Sequence, residues 1–222
     1  MKFRAVHIRT NPGEEREERS RQDVQGLMEY GIEYCAEYSA VCTEKPPQPR
    51  EALDRPFLLT PRHYGCYKAH KDAILRYLDT SIDALLMFEC DAVWAVSPLE
   101  MHQKIERAWW ACQEGALDVF TFGPKHDGRT VDRVGDDVIV ISQFIETHAY
   151  MIPLKSLSLF RETFAKPWDA VDFVYTVYLY DQGNKRIGAF RDRPVVVQAN
   201  GVSLIDGVEK KSEDHWRYKS YA

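Results

Sequence analysis

The sequence lacks any apolar run of roughly the 18 residues that would span a membrane as a helix. It also lacks an excess of positive charge. Against 29 Lys and Arg stand 34 Asp and Glu, a net charge of −5, which argues against a general nucleic-acid binder. Cysteine is sparse: Cys35, Cys42, Cys66, Cys90 and Cys112 are five in number, and no two form a C-x-x-C pair. An odd, unpatterned set reads as reduced, mostly buried thiols of a cytoplasmic protein, not as a disulfide frame or a zinc site. There is no G-x-G-x-x-G after the first apolar stretch, no G-x-x-x-x-G-K-[ST] and no G-x-S-x-G. Dinucleotide enzymes, P-loop NTPases and α/β-hydrolases are thereby disfavoured. Repeats and low-complexity tracts are absent as well.

What is present suffices for a sizeable core. Of 222 residues, 45% are hydrophobic and 12% aromatic, the composition of one folded α/β domain. Residues 3–8 read as a first strand, too short and polar for a signal peptide. Asn11 then offers an N-cap with Pro12 at the first helical position, and Gly31 ends the charged helix that follows. Arg16, Arg19 and Arg21 are interleaved with glutamates on it and read as a solvated face. A short strand is expected within 32–42 and an extended Pro-rich loop over 44–55. Thr60-Pro61 caps a helix to Leu78, and Ser97-Pro98-Leu99-Glu100 reads as a capping box opening a helix to about Gly115. Strands are expected at 119–123, 138–142, 148–152 and 194–198, with a polar loop or hairpin over 124–137. Helices are expected from Pro153 and over 169–182. Strands alternating with helices point to a mostly parallel sheet covered on both faces.

The stretch Leu85-Leu86-Met87-Phe88-Glu89-Cys90-Asp91 stands out. An unbroken apolar run reads as a buried parallel strand, and ligands of open α/β sheets collect at the carboxyl ends of such strands. Strand pleating would put Glu89 and Asp91 on one side, converging on one ligand. Hard carboxylate oxygens suit Mg²⁺ or Mn²⁺ carrying substrate phosphates. An acidic, solvated loop after a strand is the plain alternative. Cys90 would face the other way and has no neighbour to activate it.

Four blocks resemble the lipooligosaccharide-type glycosyltransferases of family 25, which include procollagen galactosyltransferase domains. These are the first strand and charged helix ending Tyr30-Gly31-Ile32; Gly65-Cys66-Tyr67-Lys68-Ala69-His70; Met87-Phe88-Glu89-Cys90-Asp91-Ala92, with Cys90 in place of the middle acid of E-D-D; and Thr147-His148-Ala149-Tyr150-Met151-Ile152. Asp172-Phe173 and Gln198 to Asp206 lie where the family has looser segments. The resemblance implies a GT-A-like domain over residues 1–208 with a polar tail over 209–222. It implies an inverting transfer of a hexose, galactose among the candidates, from a nucleotide sugar such as a UDP-sugar to a glycan, glycolipid or glycoprotein acceptor. Asp91, with Glu89, would hold Mn²⁺ or Mg²⁺. Glu89, Asp91, Arg9 and Lys68 would meet the donor, His148 and Tyr150 the acceptor or a phosphate. Asp172, then Asp169, would take the acceptor proton, unless both simply cap a helix. His70 is a metal or phosphate contact or a structural histidine.

Two other readings stay open: a nucleotide-sugar-binding pseudoenzyme without turnover, and a sugar-1-phosphate nucleotidyltransferase. Peripheral attachment to a membrane and the oligomeric state are open too.

Overall fold

The computed structural model describes residues 1–10, 15–38, 60–123, 130–142, 147–166, 168–175, 185–199, 201–202 and 209–210. The expected Asn11-Pro12 cap, the Pro-rich loop, most of residues 169–182 beyond 175, and the tail from 211 lie outside them.

The chain opens with β1 (Phe3–Arg9), α1 (Glu15–Gly26), β2 (Glu33–Tyr38), α2 (Pro61–Tyr77) and β3 (Ala84–Glu89). Next come β4 (Ala92–Trp94), α3 (Pro98–Glu114), β5 (Val119–Thr121), β6 (Thr130–Val134), β7 (Val138–Ile141) and β8 (Ala149–Pro153). Then follow α4 (Leu157–Phe164), α5 (Val171–Val174), β9 (Ile187–Phe190), β10 (Val196–Gln198), β11 (Gly201–Val202) and β12 (Glu209–Lys210).

Local chemistry sets the boundaries. The Thr60 hydroxyl accepts from the His63 amide while His63 Nδ1 accepts from the Thr60 amide, so a histidine completes the capping box of α2, with Pro61 following the cap. Ser97 Oγ accepts from the Glu100 amide at 3.2 Å to start α3. Gly31, at φ 76°, ends the 3₁₀ turn Leu27–Tyr30 in the left-handed conformation that glycine adopts without strain.

Among the described residues, eight strands form one sheet in the order β2-β1-β3-β8-β5-β9-β7-β6. Strands β8 and β7 run against the other six, so the sheet is mostly parallel in direction. Strands β6 and β7 make a hairpin through Gly135, at φ 71°, within the stretch expected as a loop or hairpin. Strands β4 and β10 pair outside the main sheet, as do β11 and β12.

Alternation along the strands divides the core. Leu85 and Met87 of β3, with Tyr150 and Ile152 of β8, pack under α2, α4 and α5. Ala84, Leu86 and Phe88, with Ala149 and Met151, pack on the other face against residues of α1 and α3. Phe88 is fully buried, and truncation to alanine would cost about 3–5 kcal/mol.

The topology points to one place. Strand β2 lies on one side of β1 and β3 on the other, and the connecting helices α1 and α2 cover opposite faces. Chain order therefore reverses at β1, and a crevice opens between the carboxyl ends of β1 and β3, the position where open α/β sheets bind ligands. Arg9-Thr10 and Glu89-Cys90-Asp91 stand there.

Candidate functional site

Glu89 ends β3, and Cys90 and Asp91 form a turn before β4. The expected convergence of Glu89 and Asp91 through strand pleating is thus not what positions them. Glu89 keeps the orientation of Leu85 and Met87, toward α2. Asp91 is placed by the turn and by β10.

Glu89 is held by groups from several elements. Its Oε1 accepts from His70 Nε2 at 3.0 Å, out of α2, and from Thr147 Oγ1 at 2.7 Å, just before β8. Its amide donates to the His148 carbonyl at 2.8 Å, and its carbonyl accepts from Ser20 Oγ of α1 at 3.1 Å. Burial raises the Glu89 pKa, but the surrounding hydrogen bonds, chiefly from His70 and Thr147, outweigh it and hold the carboxyl below its ordinary value.

His70 is itself anchored. Its Nδ1 meets the Tyr150 hydroxyl at 2.7 Å, which meets the Tyr175 hydroxyl at 2.8 Å. With Nε2–H donating to Glu89, Nδ1 accepts from Tyr150, and Tyr150 accepts from Tyr175. Every donor then points toward the carboxylate. Burial pushes both tyrosine pKa values well above the ordinary phenol value, so both stay neutral donors.

Asp91 is 8% exposed and accepts from Gln198 Nε2 of β10 at 2.7 Å through Oδ2. Its carbonyl accepts from the Ala199 amide at 2.7 Å. Cys90 accepts from Thr10 Oγ1 at 3.0 Å, which ties the ends of β1 and β3 together. Burial and the neighbouring Asp91 push the Cys90 thiol far up, so it is no thiolate nucleophile.

The other expected residues fall into two groups. Asp172 is half-buried in α5, and with Glu89 and Asp91 it adds to the burial that pushes the Cys66 thiol pKa up. Asp169 is 1% exposed and its Oδ1 accepts from the Ala170 amide at 2.7 Å, just ahead of α5. His148 is buried, with Nε2 3.4 Å from the Val196 carbonyl. A side chain at Gly123 would bring a Cβ within 2.3 Å of that nitrogen, so only glycine admits the ring there. Tyr150 is fully buried beneath His70. Arg9 pairs with the buried Glu17 at 2.7 Å. Lys68 is exposed and lies two residues from His70, which puts it on nearly the opposite side of α2.

Cys66 is the residue that the sequence did not single out. It precedes His70 by one helical turn, on the same side of α2. Among the described residues Cys66 Sγ, a His70 ring nitrogen and a Glu89 oxygen lie within 4.8 Å of one another, a group able to hold a metal ion. The C-x-x-x-H spacing is its sequence signal, weak without the third ligand.

The expected hard-ion ligands Asp91 and Glu89 have carboxylates that would suit Mg²⁺ or Mn²⁺ chemically. Asp91 presents a carboxylate oriented by an amide donor, as supporting residues orient metal ligands, and both side-chain bonds of Glu89 fall on Oε1.

No protein-family model and no curated protein matches the sequence. Solved structures do match. A glycosyltransferase involved in glycosylation of the major capsid of PBCV-1 superposes with a TM-score of 0.50 at 12% identity, over 85% of this chain and 81% of that one. A mutant Drosophila β1,4-galactosyltransferase 7, in complex with manganese, UDP-Gal and xylobiose, gives 0.46 at 8% identity over 100% of this chain and 82% of that one. Mannose-1-phosphate geranyltransferase from Thermus thermophilus gives 0.46 at 12% identity over 86% and 74%. No helix among the described residues is long and apolar enough to cross a membrane. At such identities the likeness concerns the fold alone: the chain has a GT-A-like α/β fold, a mostly parallel sheet with helices on both faces.

Proposed function

We propose that this chain is a glycosyltransferase that moves a hexose from a nucleotide sugar to a glycan or glycoconjugate acceptor, as the family 25 resemblance implies. One observation carries the reading: the carboxylates of Glu89 and Asp91 stand at the carboxyl end of β3, beside the point where the strand order reverses. A nucleoside diphosphate has its phosphates in such a crevice, and the sequence carries no G-x-G-x-x-G or G-x-x-x-x-G-K-[ST] motif to cradle them.

Asp91 and Glu89 are the residues that would hold Mn²⁺ or Mg²⁺. When bound, such an ion offsets charge on the departing diphosphate as a Lewis acid. The chain's own residues do the rest. Gln198 orients Asp91. His70 and Thr147 fix Oε1 of Glu89, so that Oε2 would be the oxygen offered to the donor or its metal. Asp172 takes the proton from the acceptor hydroxyl, and transfer proceeds with inversion. Asp169 steadies the approach to α5. Arg9, fixed by Glu17, borders the donor from the end of β1.

Thermal melting against a panel of UDP-, GDP- and CMP-sugars, with and without Mn²⁺, tests this. A ligand bound only to the native state raises the melting temperature. A Mn²⁺-dependent rise with one donor is expected. A rise indifferent to Mn²⁺ would remove the metal from the reading, and no rise with any donor would overturn it.

A further inference from the structure

We propose that Cys66, His70 and Glu89 form a binding site for a borderline-soft divalent ion, Zn²⁺ or Co²⁺, distinct from the hard-ion chemistry of Asp91. The inference shares Glu89 with the proposed donor site but needs neither a sugar donor nor turnover.

Three features support it. The first is the donor set. A thiol sulfur, an imidazole nitrogen and a carboxylate oxygen lie within 4.8 Å of one another. Sulfur and nitrogen select zinc-like ions over Mn²⁺ and Mg²⁺. Donors around a tetrahedral zinc ion lie roughly 3.5 Å apart, from bond lengths near 2.0–2.3 Å. Closing the group therefore needs side-chain movements of about 1 Å or less per donor. Three protein ligands leave the fourth position open, as at catalytic zinc sites.

The second is rigidity. Cys66 and His70 sit one turn apart on α2, and Glu89 ends a strand buried on both faces. The third is the surrounding hydrogen bonding. Histidine ligands usually bond through their second nitrogen to an outer group, and here Nδ1 meets the Tyr150 hydroxyl at 2.7 Å. Thr147 orients Glu89 in the same way at 2.7 Å.

The proton balance closes. Without metal, the His70 proton on Nε2 faces Glu89. On binding, that proton is lost from Nε2 and one is held on Nδ1, which now donates to Tyr150. The Tyr150 hydroxyl turns to donate to Tyr175, whose own hydroxyl proton rotates away from Tyr150, so the imidazole stays neutral. Cys66 loses its proton to solvent as the S–metal bond forms. One proton is released per ion, and two anionic ligands balance its charge. Burial and the neighbouring carboxylates keep this thiol protonated when no metal is present, so affinity rises with pH.

Metal-free protein titrated with Co²⁺ tests the site by absorption. The expected result is one equivalent bound with an intense thiolate-to-cobalt charge-transfer band and tetrahedral d–d bands, displaced by Zn²⁺ and not by Mn²⁺. Cys66→Ser abolishes the charge-transfer band, Tyr150→Phe weakens affinity roughly 10–100-fold, and Asp91→Asn leaves the spectrum unchanged. No binding, binding without the thiolate band, or a band that survives in Cys66→Ser would each overturn the proposal. If Cys66→Ser does not fold, alkylation of wild-type Cys66 read by peptide mass spectrometry decides. Protection by Zn²⁺ supports the site, and equal labelling with and without Zn²⁺ overturns it. Because the readout is spectroscopic, its failure leaves the transferase reading standing, and an absent melting shift with nucleotide sugars leaves this site standing.

Discussion

Glu89 and Asp91 are two residues apart and have different surroundings. Glu89 is built into the scaffold: α1, α2 and the segment leading into β8 each bond some part of it, and a file of ring groups runs behind it to α5. Asp91 sits past the end of the strand and takes the Gln198 amide from β10, outside the main sheet. An acidic pair in sequence is therefore held by two different parts of the fold. The first acid is tied to the fold, and the second can be dedicated to a ligand. Stability and activity ought to divide between them.

The largest expected effect falls on Asp91. Asp91→Ala lowers transfer by at least about 10²-fold, as loss of a charge-stabilising group does, while circular dichroism and the melting profile stay near wild type. Turnover with the donor found by melting checks this, and retained turnover would end the assignment of Asp91. The next effect lies behind Glu89. His7 meets Ser20 Oγ at 3.0 Å, the hydroxyl that holds the Glu89 carbonyl, and burial lowers the His7 pKa from 6.5 to about 4. The native state then binds fewer protons than the unfolded chain between those values. Stability is full above pH 6.5 and falls by about 3 kcal/mol toward pH 4. Urea midpoints across that range measure it, and His7→Met flattens the slope. Glu89 adds a second step: its native pKa is depressed, so its contribution is present above pH 4.5 and is lost as pH falls through the native value. Glu89→Gln lacks that step.

Tyr150→Phe removes a partner from His70 Nδ1 and costs about 1–3 kcal/mol of stability. Gln198→Ala is the smallest, roughly 1 kcal/mol, with its main consequence a roughly 10–100-fold weaker Mn²⁺ dependence of donor binding. If Gln198→Ala destabilised more than Tyr150→Phe, the contrast between the two acids would collapse.

Much of this was legible in the sequence because its signals are local. The unbroken run from Ala84 to Phe88 marks a strand buried on both faces, and Thr60-Pro61 and Ser97-Pro98 mark helix starts. What was not legible depends on distant partners. Nothing near Ala149 to Pro153 says that this strand runs antiparallel between β3 and β5, because direction is set by which edges remain open. Strand β9, four residues with Gly188 inside, carries too little pattern to read, yet a Cβ at Gly188 would lie 2.5 Å from Leu117 Cδ1. The end of β3 at Glu89 is fixed by β4 turning away to pair with β10, over a hundred residues on. For the same reason Cys66 went unread: its ligand-like neighbour comes from another element.

The seating of β8 has a consequence for synthesis. β3 acquires one neighbour, β1, as soon as it emerges, but its other edge pairs with a strand that begins at Ala149. At translation rates of roughly 5–20 residues per second, the gap from Glu89 to Ala149 takes about 3–12 s. For that interval β3, whose Ala84–Phe88 run is fully buried in the folded sheet, carries a bare, pairing-competent edge, the kind that recruits foreign strands. Until β8 emerges, that edge of β3 lacks the partner that the folded sheet gives it.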